Sequence, residues 1–89
     1  MRDDRGIYYY PIVGNKKIRM YVRQADDEVE FRLDDVDNPE TWEHHQWLPW
    51  SAIQQAAELY RQEKKGGPPI HLYDFDVAVR LIRDEAREQ

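Results

Sequence analysis

The sequence predicts an α+β fold: a three-stranded antiparallel meander packed on one face by two amphipathic helices, with 44–48 left open between a short fourth strand and a connecting segment. Three observations predict it. Aromatic and β-branched residues cluster in three early segments, Ile7 to Val13, Lys17 to Gln24 and Val29 to Val36, separated by turn residues. The second half changes to the 3.6-residue apolar period of helices. A length of 89 residues suits a single domain over 1–89 with one core.

The first two strands meet at Gly14-Asn15, which supplies the positive φ angles of a two-residue hairpin. Asp26-Asp27 is the second turn, a weaker one because neither residue is glycine. Side chains alternate along a strand, so Ile18, Met20 and Val22 share one side, as do Val29, Phe31 and Leu33. Centring the second hairpin on Asp26-Asp27 places Val22 opposite Phe31 and Met20 opposite Leu33. The same register sets Arg23 against Glu30 and Arg19 against Asp34 on the other face. Apolar and ionic pairs thus select one alignment, with burial supplying most of the stability.

By the same alternation Ile7, Tyr9 and Pro11 join the apolar face. Tyr8, Tyr10 and Ile12 emerge on the reverse, beside Tyr21, Arg19 and Lys17. Pro11 has no N–H to give a ladder, which places the first strand at the sheet's edge.

Asp37-Asn38-Pro39-Glu40 reads as a turn. Pro49 suits the first turn of a helix, and Ser51 with Gln54 has capping-box spacing, so the first helix begins at one or the other. Its stripe is Trp50, Ile53, Ala56, Ala57 and Tyr60, with Leu59 on the flank. Lys64-Lys65 complements its dipole, and Gly66-Gly67-Pro68-Pro69 stops it. Ile70 to Tyr73 is extended. Asp74 is the N-cap of a last helix with the stripe Phe75, Ala78, Val79, Ile82 and Ala86. Asp76, Arg80 and Asp84 follow each other at i,i+4 on its solvated side.

Composition bounds the function. The chain has no cysteine, so neither disulfides nor thiolate chemistry contribute. No apolar run approaches the roughly 20 residues that span a bilayer, and MRDDRG is no secretory signal, so a soluble, cytoplasmic protein without a membrane partner is expected. The net charge of −5 disfavours nonspecific binding to nucleic acid. Charge is nonetheless segregated: from Arg5 to Ala25 every charged residue is basic, whereas Asp26 to Glu43 holds nine acids against Arg32 alone.

No catalytic constellation emerges. His44 and His45 point to opposite faces of a strand, and no HxH or HxxxH spacing joins imidazoles with Glu43 or His71, so no metal and no cofactor are expected. A calcium loop begun at Asp35 places Glu40 where the turn needs glycine and Gln46 where a glutamate belongs. Ser51, the only serine, is a cap rather than a nucleophile, and Gly66-Gly67 runs into prolines instead of cradling phosphate.

The aromatic surplus is more telling. Trp42, Trp47 and Trp50 fall within nine residues, and at least two of them are expected to close the end of the core. A partly exposed tryptophan there would instead anchor a protein partner. On the reverse sheet face, which is expected to meet water, Tyr8, Tyr10 and Tyr21 interleave with Lys17, Arg19, Arg23 and Arg32.

Two binding readings follow. The first is a noncatalytic interaction module using that face, the Trp42 to Trp50 region, or both, against another protein or a second copy of itself. The second is single-stranded nucleic acid, stacking on the tyrosines with the arginines near phosphate. A meander followed by a helix also resembles the outline of transcriptional coactivators that bind single strands, although no residue motif accompanies the outline. An enzyme ranks third, and no residue is nominated for it.

Overall fold

The computed structural model describes residues 1–44, 46–63 and 72–87, without the side chains of 60–63. His45, Lys64-Lys65, the Gly66 to Pro69 stop, Ile70 and His71 lie outside the described residues, as does the Tyr60 side chain. The fold is α+β. Five strands, β1 (Arg2–Asp3), β2 (Gly6–Tyr9), β3 (Ile18–Ala25), β4 (Glu28–Asp35) and β5 (Leu48–Pro49), lie in sequence order in one antiparallel sheet. Three helices follow or interrupt them: α1 (Glu40–His44), α2 (Trp50–Glu63) and α3 (Phe75–Arg87).

The central hairpin has the predicted register. Val22 pairs with Phe31, Met20 with Leu33, Arg23 with Glu30 and Arg19 with Asp34, around a two-residue Asp26-Asp27 turn. Asp26 takes φ +53, a left-handed backbone that aspartate tolerates better than most residues. Ile7, Tyr8 and Tyr9 pair with Val22, Tyr21 and Met20, the alignment a turn centred on Gly14-Asn15 demands. The ladder stops there, however. Pro11 cannot donate, and residues 10–17 form an irregular loop in which the Asn15 N–H reaches the Ile12 carbonyl and Gly14 has φ +81. Ile12, predicted on the reverse face, therefore turns back and packs against the core.

The meander gains a strand at each end, and the first of them corrects the sequence reading. β1 pairs with β2, so the first predicted strand is not the sheet's edge. Only Gly6, at φ +133, lets the chain reverse so tightly after Asp4-Arg5. Segment 44–48 is not a strand throughout: Glu40–His44 is helical, and only Leu48–Pro49 pair, against Phe31 and Glu30.

The core lies between one sheet face and two helices. Met20, Val22, Val29 and Phe31 meet Ile53 of α2, Ala78 of α3 and Leu72 before it, with Ile7, Tyr9 and Leu33 packed around them. Leu81 joins this packing beside the predicted Val79 and Ile82, whereas Phe75 and Ala86 of the predicted stripe stay exposed. α2 begins at Trp50, and the Ser51 N–H is met by a Glu28 carboxylate oxygen at 3.3 Å. The sheet thus supplies an acceptor where a capping box within the helix was expected. Asp74 caps α3 as predicted, accepting from the Val77 N–H at 3.1 Å.

One contact ties this helix to the sheet. The Tyr9 hydroxyl donates to the Leu72 carbonyl at 2.6 Å and accepts the Asp74 N–H at 2.9 Å. Burial, outweighing the opposing pull of the Asp74 N–H, raises its pKa to about 12. No described helix is long and apolar enough to cross a membrane.

Candidate interaction surface

The reverse sheet face is not open. Tyr21 is 1% exposed and Tyr8 9%, because two segments fold over them. The β1–β2 turn brings Asp3 and Arg5 across one end of the face. Beside them, α1 drops Trp42 edge-on against Tyr21, with ring centroids 5.2 Å apart at 74°. The expectation of an open tyrosine-bearing face fails because alternation assigns a side chain to a face without saying what covers that face.

The sequence-predicted residues are brought together all the same. Tyr10 meets Tyr8 at 5.7 Å, Tyr8 meets Tyr21 at 5.3 Å, and Trp42 meets Trp47 at 6.1 Å, all between ring centroids. With the Tyr21–Trp42 contact they form one chain of five rings. Guanidinium groups lie along it: Arg19 over Tyr8 at 4.9 Å, Arg23 over Trp47 at 4.2 Å, and Arg32 over Trp42 at 4.0 Å. Two patches that the sequence treats separately, the sheet face and the tryptophan segment, are therefore one surface. Trp47 and Trp42 remain half-buried on it.

Trp50 belongs elsewhere. It packs on Phe31 at 5.7 Å and Phe75 at 5.3 Å, on the core side of the sheet. The chain changes layer between Trp47 and Trp50 by running through β5 at the sheet edge. The prediction that at least two tryptophans close the core end is corrected accordingly, since Trp50 alone packs in that layer.

Arg32 holds the platform in place. Its Nε donates to the Trp42 carbonyl at 3.0 Å, and Nη2 donates to the same oxygen, so the α1 backbone is fastened to β4. The remaining charges pair across the face. Arg23 reaches Glu30 at 2.6 Å, as the register implies. Arg19 turns from Asp34, its cross-strand neighbour, to Asp3 at 3.2 Å, and Arg5 takes Asp34 at 3.2 Å. The Arg19 Nε is buried with no acceptor among the described residues. Lys17 lies outside the ring chain and pairs with Asp37 at 3.2 Å on the surface.

Asp3 and Arg5 are the residues of this face that sequence reasoning missed, whereas the register already places Asp34 there. Their signal was the run Asp3-Asp4-Arg5-Gly6, whose turn-forming residues mark a reversal just ahead of the first strand. Asp3 accepts from the Tyr21 hydroxyl and from the Arg5 N–H at 2.8 Å. Burial alone would raise the Asp3 carboxyl, but these donors and the Arg19 charge outweigh it and hold its pKa below the usual range. Tyr21 moves up to about 12, through burial first and the hydrogen bond to Asp3 second. A polar cleft of about 300 Å³, lined by Asp3, Asp4, Arg5, Arg19, Tyr21 and Asp34, opens beside this network.

Among the described residues, no group of three or more histidine, aspartate or glutamate side chains is placed to hold a metal ion. No family model matches the chain, and neither a curated protein nor a solved structure matches it.

Proposed function

We propose that this chain is a noncatalytic protein-interaction module, and that its contact surface is the outer sheet face around Trp42, Trp47, Arg5 and Arg23. The single observation that carries this reading is the position of Trp42 and Trp47. Both indoles stay half-buried on the sheet face opposite the main core, each under a stacked guanidinium, instead of filling the space beneath α2 and α3. Tryptophan, tyrosine and arginine are the residues that most often anchor protein interfaces. Here the two indoles are held by their neighbours before any partner arrives, so little of their side-chain freedom is lost on contact.

Single-stranded nucleic acid is the less supported reading. Tyr8 and Tyr21, the stacking platforms it requires, are covered, and Arg19 and Arg23 already face carboxylates. It predicts salt-dependent binding of a labelled oligonucleotide that Arg19→Glu weakens.

Light scattering after size exclusion, together with partner retrieval on immobilised protein, tests the first reading. Wild type is compared with Trp47→Ala, and with Leu59→Ala as a control for an exposed apolar side chain on α2. A second copy or a retained protein that disappears with Trp47→Ala and persists with Leu59→Ala supports the module. A monomer whose retained proteins are unchanged by Trp47→Ala refutes it.

A further inference from the structure

The Arg5 side chain occupies an unusual seat. Its guanidinium carbon lies 4.4 Å from the Trp42 ring centroid while Nη1 sits 3.2 Å from Asp34 Oδ1. Asp34 is only 8% exposed, and Arg5 is the one cation within ion-pair distance of it among the described residues. The occupant itself is loosely held. The Arg5 side chain is 46% exposed, it extends from a two-residue turn, and its backbone is anchored independently through the N–H to Asp3 Oδ1. Trp42 has holds besides Arg5: the Arg32 guanidinium carbon 4.0 Å from its ring centroid, the Arg32 Nε donating to its carbonyl at 3.0 Å, and the Tyr21 ring 5.2 Å away.

A seat made of an indole face and a buried carboxylate selects a planar cation. Its surroundings favour one arriving from outside. The adjoining cleft carries three carboxylates, Asp3, Asp4 and Asp34, against the two guanidinium groups of Arg5 and Arg19. The helix that presents Trp42 adds exposed Glu40 and Glu43, and the chain as a whole has net charge −5. A basic segment is drawn toward such a face, whereas a nucleic acid is repelled.

We infer that the Trp42–Asp34 seat is the recognition slot for an arginine side chain of a partner protein, and that Arg5 is its built-in competitor. This rests on the interaction reading above and names the chemistry of its partner. Arg5 closes the slot in the free protein, and an incoming arginine exchanges with it, keeping both the stacking on Trp42 and the pairing with Asp34. The affinity of the wild-type protein is then reduced by the fraction of time the slot is closed.

The test follows the Trp42 indole N–H resonance by two-dimensional NMR during titration with Nα-acetyl-arginine amide, and with its neutral citrulline analogue as control. Wild type is expected to show a saturable shift with arginine and none with citrulline. Arg5→Ala should bind arginine about tenfold more tightly by relief of the competition. The double variant Arg5→Ala/Asp34→Asn should lose the binding, and should that protein fail to fold, the citrulline comparison in Arg5→Ala decides alone. Absence of a saturable shift in Arg5→Ala overturns the slot, as does an equal response to citrulline. Unchanged affinity between wild type and Arg5→Ala overturns the competitor role. A protein whose partner depends on Trp47 but whose Trp42 ignores arginine would sink this inference while leaving the interaction module standing.

Discussion

Arg32→Met tests whether the outer face is held by one side chain. Arg32 donates two N–H groups to the Trp42 carbonyl, Nε at 3.0 Å, and lies 4.0 Å from that residue's ring centroid. A hydrogen bond from a charged donor contributes roughly 1.5–3 kcal/mol, and the two here share one acceptor and count once. Stacking on a half-exposed indole adds roughly 0.5–1 kcal/mol. The expected loss is therefore ~2–4 kcal/mol, with methionine retaining the aliphatic packing of the stem. Arg32→Lys keeps the charge but not the planar fork, and should cost about 1–2 kcal/mol.

Urea titrations followed by tryptophan fluorescence and far-UV circular dichroism measure both variants. At ~4–8 °C per kcal/mol for a chain of this size, Arg32→Met should also lower Tm by at least ~8 °C. Combining it with Trp42→Leu separates the two parts, because the leucine variant keeps the carbonyl and loses only the ring. The cycle should return a coupling of about 0.5–1 kcal/mol. An Arg32→Met protein within about 0.5 kcal/mol of wild type, the range of an ordinary surface change, would refute the fastening of α1 through this residue.

Three further predictions address the rest of the fold. Tyr9→Phe removes a donor to the Leu72 carbonyl and an acceptor for the Asp74 N–H, and should cost ~1–3 kcal/mol in urea, with amide exchange rising first at Asp74 and the start of α3. Stability should also fall in alkali. Tyr9 and Tyr21 are raised to about 12 in the folded chain, so their contribution is complete below the unfolded value near 10 and is lost as pH climbs through 12; a melt series in which neither Tyr9→Phe nor Tyr21→Phe reduces that loss would contradict the assignment. Gly6→Ala meets no atom within 4 Å of the added carbon but forces alanine into φ +133, so it should destabilise by ~1–3 kcal/mol through backbone strain alone, and an unchanged urea midpoint would count against the tight β1–β2 reversal.

Where neighbouring residues carry the information, the sequence was sufficient. The period of two from Ile18 to Val22 and from Val29 to Leu33, with Arg23 opposite Glu30, allows only one register, because a slip by one residue turns every apolar side chain outward. Asp74 as a cap and Ile53, Ala78 and Ile82 as inward positions follow from the same local logic. The gathering of Tyr8, Tyr10, Arg19, Tyr21, Arg23 and Arg32 on the reverse face was also legible, from the alternation alone.

What covers each sheet face was decided only by the tertiary structure. Whether Tyr21 meets water depends on where α1 returns, and that return is set by a bond between Arg32 and a carbonyl ten residues away, on no periodic pattern. The exchange of partners that gives Arg19 to Asp3 and Arg5 to Asp34 likewise needs the β1–β2 turn in place. Strand and helix periods report the surroundings a side chain has along its own element. Contacts between elements far apart in the chain depend on how those elements settle against one another, and only the folded arrangement decides that.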